Sequence, residues 1–198
     1  MNVTTKTEQH FVVLAQSLLK GETSITPIAN NISNLVLFND KYYWPLGAFP
    51  ALILMPIVIF VGSVLQSYLS FLLTIVNFYL LYKIALKFKL NSHQSLLCAV
   101  FFIFGSIYTP LAMIPASWYF AQVVACSFSI FAIYEFLQKR RYFLIGVYIS
   151  AAIATRLNII LASVFFLYFL LKKPFKLNSL LFFSFPILLT LFSIGYYN

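Results

Sequence analysis

An all-α membrane protein is the fold class this sequence predicts, and two observations predict it. Of 198 residues, 62% are hydrophobic and 19% aromatic, while only 9% are charged; a soluble domain of this size would leave large apolar patches in water. The apolar residues also run in long blocks set apart by short polar punctuation, near 48–65, 67–88, 93–109, 116–137, 142–155, 157–171 and 177–196. Several blocks approach the roughly 20 residues that a spanning helix needs, and 142–171 is too long for one helix and short for two. In lipid such blocks must be helical, because an open strand edge leaves backbone groups unpaired.

From the N-terminus, residues 1–10 carry Lys6, Glu8 and His10 and no apolar centre, so they form neither a signal peptide nor a membrane helix. A truncated chain, missing an inserting helix upstream and ending abruptly at Tyr196-Tyr197-Asn198, is the expectation. Residues 8–20 read as an amphipathic helix lying on the membrane surface. Phe11, Ala15, Leu18 and Leu19 share one face, with Gln9, Gln16, Ser17 and Lys20 elsewhere. Gly21 follows as a C-terminal cap, and residues 23–34, with Pro27, form a polar loop.

The stretch Phe38-Asn39-Asp40-Lys41-Tyr42-Tyr43-Trp44-Pro45-Leu46-Gly47-Ala48-Phe49-Pro50-Ala51 joins this polar region to the apolar blocks. A carboxylate, a lysine, aromatics and prolines at the threshold of a bilayer suit a ligand with a polar head and a greasy tail.

Charge sets the expected orientation. Residues 1–47 hold Lys6, Lys20 and Lys41 against Glu8, Glu22 and Asp40, whereas all later residues hold ten basic side chains and one acid, Glu135. The positives gather at Lys83/Lys87/Lys89, Lys139/Arg140/Arg141 and Lys172/Lys173/Lys176, which the positive-inside rule assigns to the cytoplasm. If both 48–65 and 67–88 crossed, the first cluster would return to the outer side. Residues 48–65, short and carrying Pro50 and Pro56, are therefore expected to lie in the outer leaflet without crossing. The organisation predicted is an extracytoplasmic cap of two juxtamembrane helices over 1–66 and a bundle of about six helices over 67–198. The protein is then integral to the cell membrane, multi-pass, with its N-terminal region extracytoplasmic and Arg156 near the outer surface.

The net charge of +9 serves topology in this reading. No basic patch is interleaved with exposed aromatics, so nucleic acid is not an expected partner. Cys98 and Cys126 lie inside apolar runs as small fillers, and no metal or other cofactor is expected. His10 reads as a solvated helix residue, and His93 falls on the opposite side from it. Glu135 pairs most simply with Lys139 or Arg140 at helical spacing.

At this level of detail the residues resemble a family, the membrane glycosyltransferases of the GT-C type, which take a sugar from a polyprenyl-phosphate donor and include protein O-mannosyltransferases and lipid A aminoarabinose transferases. Glu8-Gln9-His10-Phe11 followed by Leu14-Ala15 looks like the family's acid-x-x-aromatic-x-x-x-Ala helix start. Asp40-Lys41-Tyr42-Tyr43-Trp44-Pro45-Leu46-Gly47-Ala48-Phe49-Pro50-Ala51 is similar to its Gly-Lys-Tyr-Tyr-x-x-Pro-Pro-x-Pro-Ala segment. Ala116-Ser117-Trp118-Tyr119-Phe120-Ala121-Gln122 and Ala151-Ala152-Ile153-Ala154-Thr155-Arg156 match two further stretches, in family order. The chain departs in having Glu8 where Asp is common, and in lacking a carboxylate between Thr109 and Ser117.

The resemblance implies sugar transfer to a lipid, glycan or protein acceptor on the extracytoplasmic face, with membrane lipids as the surrounding partner. Glu8 is the implied base; an ordinary carboxylate at a helix N-terminus is its other reading. Asp40 either orients Lys41 or serves a turn. Lys41 and Arg156 are candidates for the lipid phosphate; an arginine inside an apolar run is functional by default, with snorkelling to the interface as its other reading. Tyr42, Tyr43 and Trp44 would line the substrate, although Tyr42, Tyr43, Trp44, Trp118 and Tyr119 also suit an interfacial aromatic belt. The rival readings are a transporter or flippase of lipid-linked saccharide, and an inactive or scaffolding membrane protein.

Overall fold

A computed structural model describes residues 9–26, 34–172 and 177–197. About three quarters of them are helical, in the order α1 (His10–Leu19), a hairpin of β1 (Val36–Phe38) and β2 (Lys41–Tyr43), α2 (Phe49–Val61), α3 (Gln66–Lys87), α4 (Ser92–Phe104), α5 (Tyr108–Met113), α6 (Ser117–Gln138), α7 (Tyr142–Thr155), α8 (Ile160–Lys172) and α9 (Leu177–Tyr197). Three of these, α3, α6 and α9, are long and apolar enough to cross a membrane. The all-α expectation holds in this coarse form. Most apolar blocks became helices with bounds close to their polar punctuation, because Lys, Asn and Arg clusters end what apolar runs begin.

Five helices stand in a row, α4–α3–α6–α7–α9, with α6 in the middle. Over its apolar window 56% of α6 is buried, against 17% for α3 and α9, so the outer two present their sides to the surroundings. α3 and α6 run parallel: Gln66 meets Ser117 at their starts, and Asn77 meets Ser127 about three turns on. α7 and α9 are also parallel, and Gly146 lets them touch, since a Cβ built there collides with the Phe183 carbonyl oxygen. Small residues allowing this approach are a common device between apolar helices. α8 turns back, placing Phe166 on the Phe136 ring and near Phe183.

These directions bring Lys83, Lys87, Lys89, Lys139, Arg140, Arg141 and Lys172 to one end of the row; Lys173 and Lys176 lie outside the described residues. At that end Glu135 pairs with Arg141 at 2.7 Å, not with Lys139 or Arg140 as expected. Helical spacing is not the deciding factor because the helix stops at Gln138 and the turn swings Arg141 back, where two guanidinium nitrogens reach the carboxylate. Arg140 covers the Phe136 ring instead.

The other end is capped by α1, the hairpin and α2. α2 is 13 residues long, about 20 Å at the usual helical rise and short of a ~30 Å hydrocarbon core. It buries Ala51, Leu54 and Val58 against the cap core while Ile59, Phe60 and Val61 stay exposed, Phe60 by 88%. α1 ends as predicted at Gly21. Its φ of 79° lets Gly21 N–H bond Leu18 O and Glu22 N–H bond Ser17 O.

Several details correct the sequence reading. α1 does not sort into the expected faces: Gln9 and Ser17 are buried and Leu19 is exposed. The block at 93–109 is not one helix, because α4 ends at Gly105 and a separate short helix, α5, occupies the expected outer loop. The hairpin at 36–43 was not anticipated. Asn39 and Asp40 both take positive φ, 48° and 57°, which a two-residue turn between twisted strands requires.

Candidate functional site

At the end of the row opposite the basic clusters, four side chains from four segments form one continuous stack. The His10 ring lies on Trp44, with centroids 4.4 Å apart and planes 27° from parallel. Trp44 leans on Trp118 at 5.4 Å, and the Arg156 guanidinium sits 5.6 Å from the Trp118 ring. Phe11 closes the Trp44 edge at 5.5 Å. Cation–aromatic and aromatic pairs of this kind contribute about 0.5–2 kcal/mol each beyond burial.

Hydrogen bonds fix the same junction. Gln9 donates to Pro115 O at 2.7 Å and accepts from the Gln66 backbone N–H at 2.8 Å, so it occupies the free amide that begins α3. The Ser117 hydroxyl accepts from His10 N–H at 2.9 Å and from the Gln66 side chain at 3.1 Å. One residue on, Trp118 O accepts from Arg156 Nη2 at 3.0 Å. His10 Nε2, Trp44 Nε1 and Arg156 Nε are buried without a hydrogen-bond partner among the described residues. Such atoms carry a desolvation cost.

Beside the stack lies a cavity of about 650 Å³, bounded by Pro45, Gly47 and Phe49 on one wall, by Ala154 to Asn158 on another, and by Leu189 and Ser193 of α9. Gly47 sets its shape, because a Cβ there would run into the Ala154 carbonyl oxygen. Arg156 is on the lining at the C-terminus of α7, where a cation suits the helix dipole. Partial burial lowers its pKa, by desolvation, from the ordinary arginine value and leaves the guanidinium charged. The cavity thus joins one cation and a few hydroxyl and amide groups to an apolar wall.

The predicted residues distribute unevenly around it. Arg156 lines the cavity and ends the stack. Trp44 is only 2% exposed, with His10 on one side and Trp118 on another, so it holds the site together and offers no open face to a sugar. Asp40 and Lys41 are exposed at the hairpin, where Asp40 serves the turn. Tyr42 pairs with Leu37 and accepts Ile25 N–H at 2.7 Å, and Tyr43 meets Phe38 edge-on. None of residues 40–44 lines the cavity. Glu8 lies outside the described residues.

His10 is a correction: it is 2% exposed, and burial pushes its pKa below the ordinary histidine value. Its aromatic ring gains more from Trp44 than from water once Gln9 and Ser117 have drawn the start of α1 inward. The sequence reading also gave Gln9, Gln66, Ser117 and Gly47 no role. Only Gln66 had no signal at all, since Gln9, Ser117 and Gly47 each fell inside a stretch singled out for its family likeness.

No protein-family model, curated protein or solved structure matches this chain. Fold and site together define an all-α protein with three helices able to cross a membrane and, at one end, a cavity carrying an arginine and an apolar wall.

Proposed function

We propose that this chain acts in transferring a sugar from a polyprenyl-phosphate donor to an acceptor hydroxyl on the extracytoplasmic face of a membrane, as an inverting enzyme of GT-C type. The supporting observation is convergence. The four stretches picked out by resemblance supply His10, then Trp44 and Gly47, then Ser117 and Trp118, then Thr155 and Arg156, all to one junction. That junction is at the end away from the basic clusters, which the positive-inside rule would put in the cytoplasm. In this arrangement α2 lies in the outer leaflet and about six segments cross.

In the proposed step an acceptor oxygen attacks the sugar's anomeric carbon, its proton passes to a carboxylate, and the bond to the phosphate oxygen breaks. Arg156, which lines the cavity, would hold the departing lipid phosphate with its guanidinium, and the apolar wall would take the first part of the prenyl chain. Glu8 is the proposed base. Lys41 and Tyr42, on the exposed hairpin, would meet the donor's or acceptor's polar part only from outside the cavity.

The test is transfer from radiolabelled polyprenyl-phosphate sugars by the chain in proteoliposomes. Arg156→Gln should lower turnover by about a hundredfold or more and Arg156→Lys by less, since one charge-assisted donor array is lost; Glu8→Gln should cost about 10²–10⁴. Movement of intact donor across the bilayer without transfer would favour a transporter of lipid-linked saccharide. A chain that neither binds nor consumes donor would leave the inactive or scaffolding reading.

A further inference from the structure

The basic end of the row carries more charge than it neutralises. Among the described residues it gathers seven cations, from Lys83 on α3 to Lys172 on α8, and one carboxylate, Glu135. Arg141 takes that carboxylate, and the other six cations have no ion-pair partner among the described residues. All of them except Lys83 are exposed. Cations held together on one surface without counter-charges raise the local concentration of anions there.

What lies behind the charges says which kind of anion fits. Near the ends of α3, α6 and α8 a cation rests over an aromatic ring four residues earlier: Lys83 over Tyr79 at 5.4 Å, Arg140 over Phe136 at 5.2 Å and Lys172 over Tyr168 at 5.5 Å. The Tyr79 and Tyr168 rings are exposed, so two of these cations extend along apolar surface that faces outward. A long side chain that covers an exposed ring and carries its charge past it suits a boundary between hydrocarbon and water. A soluble acidic protein would meet the charges and leave that apolar surface bare, whereas an anionic phospholipid covers both.

One place at this end is concave. α7 and α9 start side by side, and a cavity of about 460 Å³ lies between them, bounded by Arg141, Tyr142, Phe143, Ser179 and Phe182. Glu135 fixes Arg141 on the wall by bonds of 2.8 and 2.7 Å, yet the arginine side chain stays 55% exposed and open to a ligand. Lys139 and Arg140, next to it in the chain, are exposed as well. The exposed rings of Phe143 and Phe182 continue the cavity wall onto the apolar sides of α7 and α9.

We infer that the basic end binds an anionic phospholipid, seated with its phosphate at Arg141 between the starts of α7 and α9 and its acyl chains along Phe143 and Phe182. Glu135 aims Arg141 and cancels part of its charge, so Lys139 and Arg140 supply the excess that selects a net-negative headgroup over a zwitterionic one. The seat is at the opposite end of the molecule from the Arg156 cavity and does not rest on the proposed transfer reaction.

The test is native mass spectrometry of the purified chain in detergent, with equimolar phosphatidylglycerol and phosphatidylcholine of the same acyl chains. One phosphatidylglycerol per chain should be retained in preference to phosphatidylcholine by about three- to tenfold, the range expected of one or two cations near a headgroup, and the preference should shrink as salt is raised. Lys139→Gln together with Arg140→Gln, both at exposed positions, should bring the two lipids to nearly equal retention. Ser179→Phe, which fills the cavity, should abolish the single tightly held lipid. Lys20→Gln removes a charge at the other end and should change nothing. Equal retention of the two lipids by the unaltered chain would overturn the inference, and capture of soluble polyglutamate in that case would give the surface to an acidic protein. A preference lowered as much by Lys20→Gln as by the double substitution, or one that survives Ser179→Phe in a folded chain, would overturn it too.

Discussion

The two flanks of α6 carry cavities of similar size built in opposite ways. On the α7 side, backbone touches backbone at Gly47, the wall is held by a four-membered stack, and Arg156 is tied to Trp118. On the α3 side, a groove of about 710 Å³ exists because the 13-residue α4 stops beside the 22-residue α3, and its rims are exposed side chains. The difference teaches that volume alone does not rank these sites, whereas the contacts that hold their walls do.

Substitution can break that contrast or sharpen it, and thermal unfolding in a mild detergent would read the first three effects. Trp44→Ala removes the centre of the stack and should cost about 3–5 kcal/mol, as a buried aromatic truncated to Ala does. Gly47→Ala drives a methyl into the Ala154 carbonyl and should cost about 3 kcal/mol, near the top of the usual overpacking range, with the proposed donor binding lost alongside. On the groove side Asn77→Ala deletes bonds of 2.7 and 2.8 Å to Tyr108 and Ser127. The cost there should be nearer 1 kcal/mol, the scale found for polar contacts between apolar helices. If Asn77→Ala proved as damaging as Trp44→Ala, the distinction between a flank held by stacked rings and one held by polar contacts would fall.

The smallest expected effect is a pH slope. Burial holds the folded-state pKa of His10 below its ordinary 6.5, so the unfolded chain binds the proton more tightly. Stability should be level above that value and fall as pH drops beneath it toward the folded pKa. His10→Phe keeps a ring on Trp44 and should flatten the slope; an unchanged slope would assign it to another group.

Helix positions were legible because apolar runs and their polar breaks are local facts, and Gly21 announced its own cap. The break at Gly105 was harder to see, since a single glycine inside an apolar run stops a helix only when its neighbours draw the chain aside. The hairpin was hidden for a different reason. Val36-Leu37-Phe38 and Lys41-Tyr42-Tyr43 flank an Asn39-Asp40 turn, a readable signal, but the prolines and aromatics that follow suggested a membrane threshold instead. Arg156 stood out as a charge in an apolar run. Its neighbours did not, because the burial of His10 and the pairing of Glu135 with Arg141 depend on contacts between segments that no window of sequence contains.

Ser117 and Trp118 are consecutive, yet they serve different circuits: one ties α6 to α1 and α3, the other to Trp44 and Arg156. A slide of α6 along its axis by a single residue, about 1.5 Å, would stretch both sets of contacts together. The first turn of α6 therefore works as a mechanical key, locking the two halves of the molecule in one register so that neither can shift without moving the arginine.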